Sequence, residues 1–83
     1  DLVMREGDTV VFVEVRYRQH ASHGDAAASV TRTKQDKLIR AAQGWLAAHS
    51  RYAQSNCRFD VVSYDGAADN ARMSWWRNAF DAY

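Results

Sequence analysis

The segment Val10–Arg18, VVFVEVRYR, decides how this chain is read. Its first four residues, Val10, Val11, Phe12 and Val13, are branched or aromatic and suit a sheet strand covered on both faces. Glu14 and Arg16 break that run. Because side chains alternate across a strand, Val10, Phe12, Glu14 and Arg16 share one face, and Val11, Val13, Val15 and Tyr17 share the other. An acid and a base therefore project side by side from a core strand.

Upstream, residues 1–5 read as a second strand, with Gly7 and Asp8 as the two-residue loop of a tight hairpin. That register pairs Glu6 with Thr9, Met4 with Val11, Leu2 with Val13 and Asp1 with Glu14; a slip of two residues leaves the acids diagonal on the same face. Opposed like charges destabilise a sheet, so the pair calls for a cation, either Arg16 or a bound metal. An Asp followed on the next strand by Glu-x-Arg resembles the layout in which PD-(D/E)xK nucleases hold magnesium, since hard cations prefer carboxylate oxygens and water. The same residues also fit an ordinary ion pair between Glu14 and Arg16 at the wet end of a strand. Both readings stand at this point.

A chain of 83 residues allows one small domain, 1–83, with a thin core. Hydrophobic content of 47% with three Trp, four Tyr and three Phe argues for a folded globule over disorder. No apolar run approaches the roughly 18 residues of a membrane helix, and no secretory signal is expected. Cys57 is the one cysteine, which rules out an internal disulfide and suits a reducing cytoplasm. The first residue already lies in an expected strand and is not Met, so the domain is expected to be N-terminally incomplete.

The net charge of +1 is unevenly spread. Between Val15 and Arg58, eight bases face only Asp25 and Asp36, whereas the remainder is acidic. This asymmetry fits a phosphate-tracking face beside an acidic cluster, and equally the solvated side of a helix. Gln19–Ser29 lacks periodicity and reads as a loop placed to close over a ligand near Arg16 and Arg18; its His20 and His23 read as solvated. A helix follows from about Arg32 to His49, capped by Thr31 or Thr33, with Leu38, Ile39, Ala42, Trp45, Leu46 and His49 on its apolar face. Lys34, Lys37 and Arg40 lie towards the other side, and Gly44 predicts a close helix-to-sheet approach. Cys57–Tyr64 is a third strand, joined to the second by a parallel crossover, with Asp60 as a further acid or a partner for Arg58. Residues 65–70 form a turn, and Met73–Phe80 reads as a short edge strand and terminal turn. Trp75 and Trp76 point to opposite faces there, and with Phe80 they also fit a subunit contact.

The segments DLVMREGDTVVFVEVRYR, GDAAASVTRTKQDKLIRAAQGWLAAH, CRFDVVSYDG and WWRNAFDA resemble, in order, consecutive blocks of the YraN family, bacterial proteins similar to archaeal Holliday-junction resolvases. The resemblance implies an α/β, restriction-endonuclease-like core: a mixed sheet with a β-hairpin, a crossover helix and further strands, with the family's leading helix and first strand segment absent from this chain. It implies Asp1 and Glu14 as ligands of Mg²⁺, with Mn²⁺ as substitute, and Arg16 in the place where the nuclease motif usually has Lys. Arg16 stays protonated, so it can hold a phosphate but not act as a general base. Arg18, Ser29, Thr31, Lys34 and Gln35 are the candidate nucleic-acid contacts. The implied activity is a metal-dependent endonuclease on branched or structured DNA, working as a homodimer in the cytoplasm. The alternative is a non-catalytic module that keeps the fold for nucleic-acid or protein binding.

Overall fold

The computed structural model describes residues 2–18, 30–66 and 70–81. Asp1, the loop at 19–29 with His20, His23 and Ser29, and the middle of the 65–70 turn lie outside the described residues. Strand β1 (Leu2–Glu6) and strand β2 (Thr9–Arg18) form the expected hairpin, with Leu2 opposite Val13, Met4 opposite Val11 and Glu6 opposite Thr9. Gly7 adopts φ 58, the left-handed conformation that a two-residue hairpin loop requires and that glycine adopts without steric cost. The described ladder stops one residue short of the expected Asp1–Glu14 pairing.

Strands β3 (Asn56–Asp65) and β4 (Arg72–Phe80) complete one four-stranded mixed sheet in the order β1-β2-β3-β4. β2 and β3 run parallel, and both outer strands are antiparallel to their neighbours. Parallel neighbours cannot be joined by a tight turn, and helix α1 (Arg32–Ala48) makes the crossing. Thr31 caps it: its backbone is extended and its hydroxyl accepts the Lys34 N–H at 3.2 Å. Ile39 and Ala42 are buried with Phe59, beside Phe12 and Phe80, and Trp45 meets Phe12 edge-on at 5.9 Å. Val30, Val61 and Leu38 continue this layer towards the start of the helix.

The opposite sheet face carries Val11, Val13 and Val62, shielded by Val15 and Tyr64, with Tyr17 stacked on Tyr64 at 5.2 Å. Among the described residues no helix covers it. Three expectations need correction. Gly44 makes no close approach to the sheet, because it lies on the exposed side of α1 with open space where a Cβ would stand. His49 lies just past the helix as its exposed C-cap rather than within it: its N–H donates to Leu46 O, its Nδ1 lies 2.8 Å from Trp45 O, and its ring stacks on Trp45 at 4.1 Å. Phe80 is not in a turn but ends β4. A register shift opposite Phe59–Val61, with Asn78 at φ 52, lets β4 continue so that Phe80 stacks on Phe59 at 5.0 Å. Trp75 and Trp76 do alternate, opposite Val62 and Val61.

These positions make opposite stability predictions for two glycines. Gly7→Ala forces a Cβ into the left-handed region and is expected to cost about 1–2 kcal/mol. Gly44→Ala fills open space on a helix surface and is expected to add about 0.5–1 kcal/mol. Urea unfolding of the two variants checks both signs.

Candidate functional site

Glu14 is 5% exposed, on the α1 side of β2 and opposite Val61 in the parallel ladder. It sits in a mostly apolar cleft between sheet and helix, lined by Leu2, Val3, Leu38 and Trp45 among others. A carboxylate in such surroundings demands a cation or donors. The cation is Lys34: its Nζ lies 3.2 Å from Glu14 Oε2. The N-cap at Thr31 sets the first turn of α1, and the crossover returns that turn to the carboxyl end of β2, so Lys34 reaches back although its Cα is on the exposed side.

Arg16, expected beside Glu14, is half-buried, opposite Ser63, and makes no ion pair among the described residues. Arg18 grips Asp65 with two nitrogens, Nε to Oδ1 at 2.7 Å and Nη2 to Oδ2 at 3.1 Å. The Ser63 hydroxyl donates to the same Oδ1 at 2.5 Å. The Arg18 guanidinium and this hydroxyl hold the Asp65 carboxyl below the usual carboxylate range. Gln35 donates from Nε2 to Val30 O at 3.0 Å, bracing the chain where it enters α1. Glu14, Arg16, Arg18, Lys34 and Gln35 are thus gathered at the carboxyl end of β2 and the first turn of α1; Asp1 and Ser29 lie outside the described residues.

The role of Lys34 is what the strand pattern alone does not reveal. A signal was available: in a strand-helix-strand crossover the first helical turn stands over the carboxyl end of the preceding strand, where α/β folds build their sites. Asp60 is separate from this group. It is fully buried on the opposite face, opposite Val13, and accepts from Arg58 Nε at 3.0 Å and Nη2 at 3.2 Å, Trp75 Nε1 at 2.9 Å and the Asn78 N–H at 2.9 Å. Burial opposes its ionisation, but the guanidinium, the backbone N–H and the indole N–H outweigh it and hold the carboxyl below its ordinary value. Arg58 also reaches Glu6 at 2.8 Å, and Arg77 reaches Glu6 from β4 at 3.3 Å. Asp60 is a structural tie with its oxygens spoken for. Cys57 is exposed, and partial burial of its thiol raises its pKa, the reverse of what a nucleophile needs.

Among the described residues no three ligand-type side chains converge as a ready metal cage. Glu14 offers one hard carboxylate, and Mg²⁺ is commonly held by one or two carboxylates with substrate phosphate and water supplying the rest, so the donor chemistry fits with Asp1 as the second acid.

A family model described as uncharacterised protein family UPF0102 matches residues 1–64. The chain belongs to the uncharacterised protein family UPF0102. A UPF0102 protein of Pseudomonas fluorescens is 57% identical over 83 residues, covering 99% of this chain and 68% of the relative. One from Stutzerimonas stutzeri is 55% identical over 82 residues, with 99% and 68% covered. The UPF0102 protein YraN of Escherichia fergusonii is 52% identical over 82 residues, with 98% of this chain and 60% of the relative covered. This UPF0102 chain therefore spans about two thirds of the relatives' length. No helix among its described residues is long and apolar enough to cross a membrane.

Asp60→Ala leaves Arg58 without its buried partner and is expected to cost about 3–5 kcal/mol, read by urea unfolding. The carboxyl pKa values of Asp60 and Asp65 are lowered by folding, so their contribution is complete above the unfolded value of about 4 and is lost as pH falls through the folded values. An acid titration followed by circular dichroism should show stability falling below about pH 4, with a smaller fall in Asp60→Asn.

Proposed function

We propose that this chain is the core of a divalent-metal-dependent endonuclease acting on branched or structured DNA. The observation that carries the reading is Glu14, a nearly buried carboxylate held at the mouth of a β-α-β crossover with the Lys34 ammonium at 3.2 Å. As far as Leu2 opposite Val13, the hairpin has the register that the metal reading assumes. Asp1 and Glu14 are the residues that would hold Mg²⁺ or Mn²⁺. When bound, such an ion acidifies a water and offsets charge on a phosphate.

The chain's own groups divide the remaining work. Glu14 supplies fixed negative charge whose oxygen is kept in place by the Lys34 contact. Lys34 is a compact cation on a flexible stem, able to follow the charge that builds on a phosphoryl oxygen. Arg16, with no carboxylate partner among the described residues, has its guanidinium donors available for the phosphate that follows or precedes the scissile one. Arg18, clamped by Asp65, and Gln35, bonded to Val30 O, act as positioning groups for strand end and helix start. The cytoplasm and a homodimeric arrangement, in which two such sites cut paired strands symmetrically, belong to the same proposal.

A second reading has its own supporting observation: Glu14 already has a cation in Lys34. A neutralised acid suits a nucleic-acid-binding module that keeps the fold without cleaving. Calorimetric titration of Mg²⁺ and Mn²⁺ into the full-length protein separates the two, followed by cleavage assays on four-way-junction and flap DNA. The nuclease reading expects a binding isotherm and cleavage, both lost by about 100-fold or more in Glu14→Gln. Absence of both in the wild-type protein leaves the binding module.

A further inference from the structure

At the other end of the sheet, the hairpin loop and the segment after α1 enclose an open groove of about 590 Å³. Arg5 and Arg51 both line it, with Gly7, Gln54, Ser55 and Asn56. Asp8 lines it too, yet it stands at salt-bridge distance from neither arginine, whereas Arg18, Arg32, Arg58 and Arg77 each have a carboxylate partner. Among the described residues two guanidiniums and one carboxylate line the groove, which leaves it positive. Arg51 is held from behind: its guanidinium carbon lies 5.2 Å from the centre of the Tyr52 ring, which itself rests against Trp45 at 5.5 Å. A cation held over a ring has one side taken up by it, which favours Arg51 as a donor towards the groove. Gln54, Ser55 and Asn56 add amide and hydroxyl donors.

We propose that this groove is a second binding site, for phosphate groups, and that its occupant is the backbone of a nucleic-acid strand. Arg5 pairs with Val10 in the hairpin, on the same sheet face as Glu14. Glu14 lies four positions beyond Val10 in β2, about 13 Å at ~3.3 Å per residue. That span matches roughly four phosphates at the ~3.4 Å axial spacing of one DNA strand, so one strand can touch both ends of the domain. The choice of a polymer over a free phosphate rests on the proposed function; the anion site itself does not.

The test uses the full chain and Arg5→Gln/Arg51→Gln, both exposed positions, with thermal unfolding to establish that the variant remains folded. Anisotropy of a fluorescein-labelled single-stranded oligonucleotide is followed across KCl concentrations, and inorganic phosphate is titrated while backbone amides are monitored by NMR. The expected result is at least tenfold weaker oligonucleotide binding, a log–log salt slope shallower by about 1.4 (roughly 0.7 per phosphate contact on a single strand), and phosphate-induced shifts around Gly7 and Asn56 that vanish in the variant. Unchanged affinity and slope, with no phosphate-induced shift, overturns the site. Phosphate shifts without any change in oligonucleotide binding overturn the nucleic-acid occupant in favour of a free phosphate. Loss of cleavage in Glu14→Gln together with unaltered oligonucleotide binding in the arginine variant and no phosphate-induced shift sinks this site while the nuclease reading survives. Arginine-dependent binding by a protein that never cleaves does the reverse.

Discussion

The parallel pairing of β2 with β3 is the constraint from which the rest of this structure follows. Ten registered pairs, Thr9 with Asn56 through Arg18 with Asp65, align two central strands that no hairpin can connect. The chain must leave the sheet, cross its face and return, and α1 is that crossing. Its apolar side covers Phe12, Phe59 and Phe80, while its first turn arrives over the carboxyl end of β2. The meeting of Lys34 with Glu14 is therefore a consequence of topology before it is a matter of chemistry.

The two antiparallel outer strands are secured differently. Arg58 and Asp60 belong to β3, Glu6 to β1, and Trp75, Arg77 and Asn78 to β4, so one polar network ties three strands together across the face that α1 does not cover. Because Asp60 is fully buried, each of its donors does what water does for an exposed carboxylate. The irregularity in β4 is part of the same device: the turned backbone at Asn78 aims its N–H at Asp60 and leaves Phe80 in line to join the aromatic layer.

Charge is sorted along the sheet by this arrangement. At the carboxyl end of β2 lie Glu14 with Lys34 and Asp65 with Arg18, with Arg16 between them on the same face. At the hairpin end, Arg5 and Arg51 line a groove in which, among the described residues, Asp8 is the one acid and pairs with neither. A polyanion laid along this face would meet cations at both ends. Family membership adds no activity, since what is common to the relatives is the name UPF0102.

How far the sequence reaches can be stated residue by residue. Gly7-Asp8 between apolar runs determined the hairpin and its register, because a two-residue loop leaves one way to pair Leu2 and Met4 with Val13 and Val11. Thr31 or Thr33 before an amphipathic stretch placed the helix start within two residues, the structure choosing Thr31, and strand-helix-strand order determined that β2 and β3 lie side by side. Those are local patterns, governed by backbone geometry and side-chain period. Gly44 misled, because glycine in a helix is as compatible with an open surface as with a close contact. Arg58 as a partner for Asp60 was legible two residues away, but the Trp75 and Asn78 donors to Asp60, 15 and 18 positions away, and the Lys34 partner of Glu14 on the crossover helix were decided only by the assembled sheet and helix: a buried carboxylate takes whichever donors the packing brings within reach, and sequence spacing carries no measure of that distance.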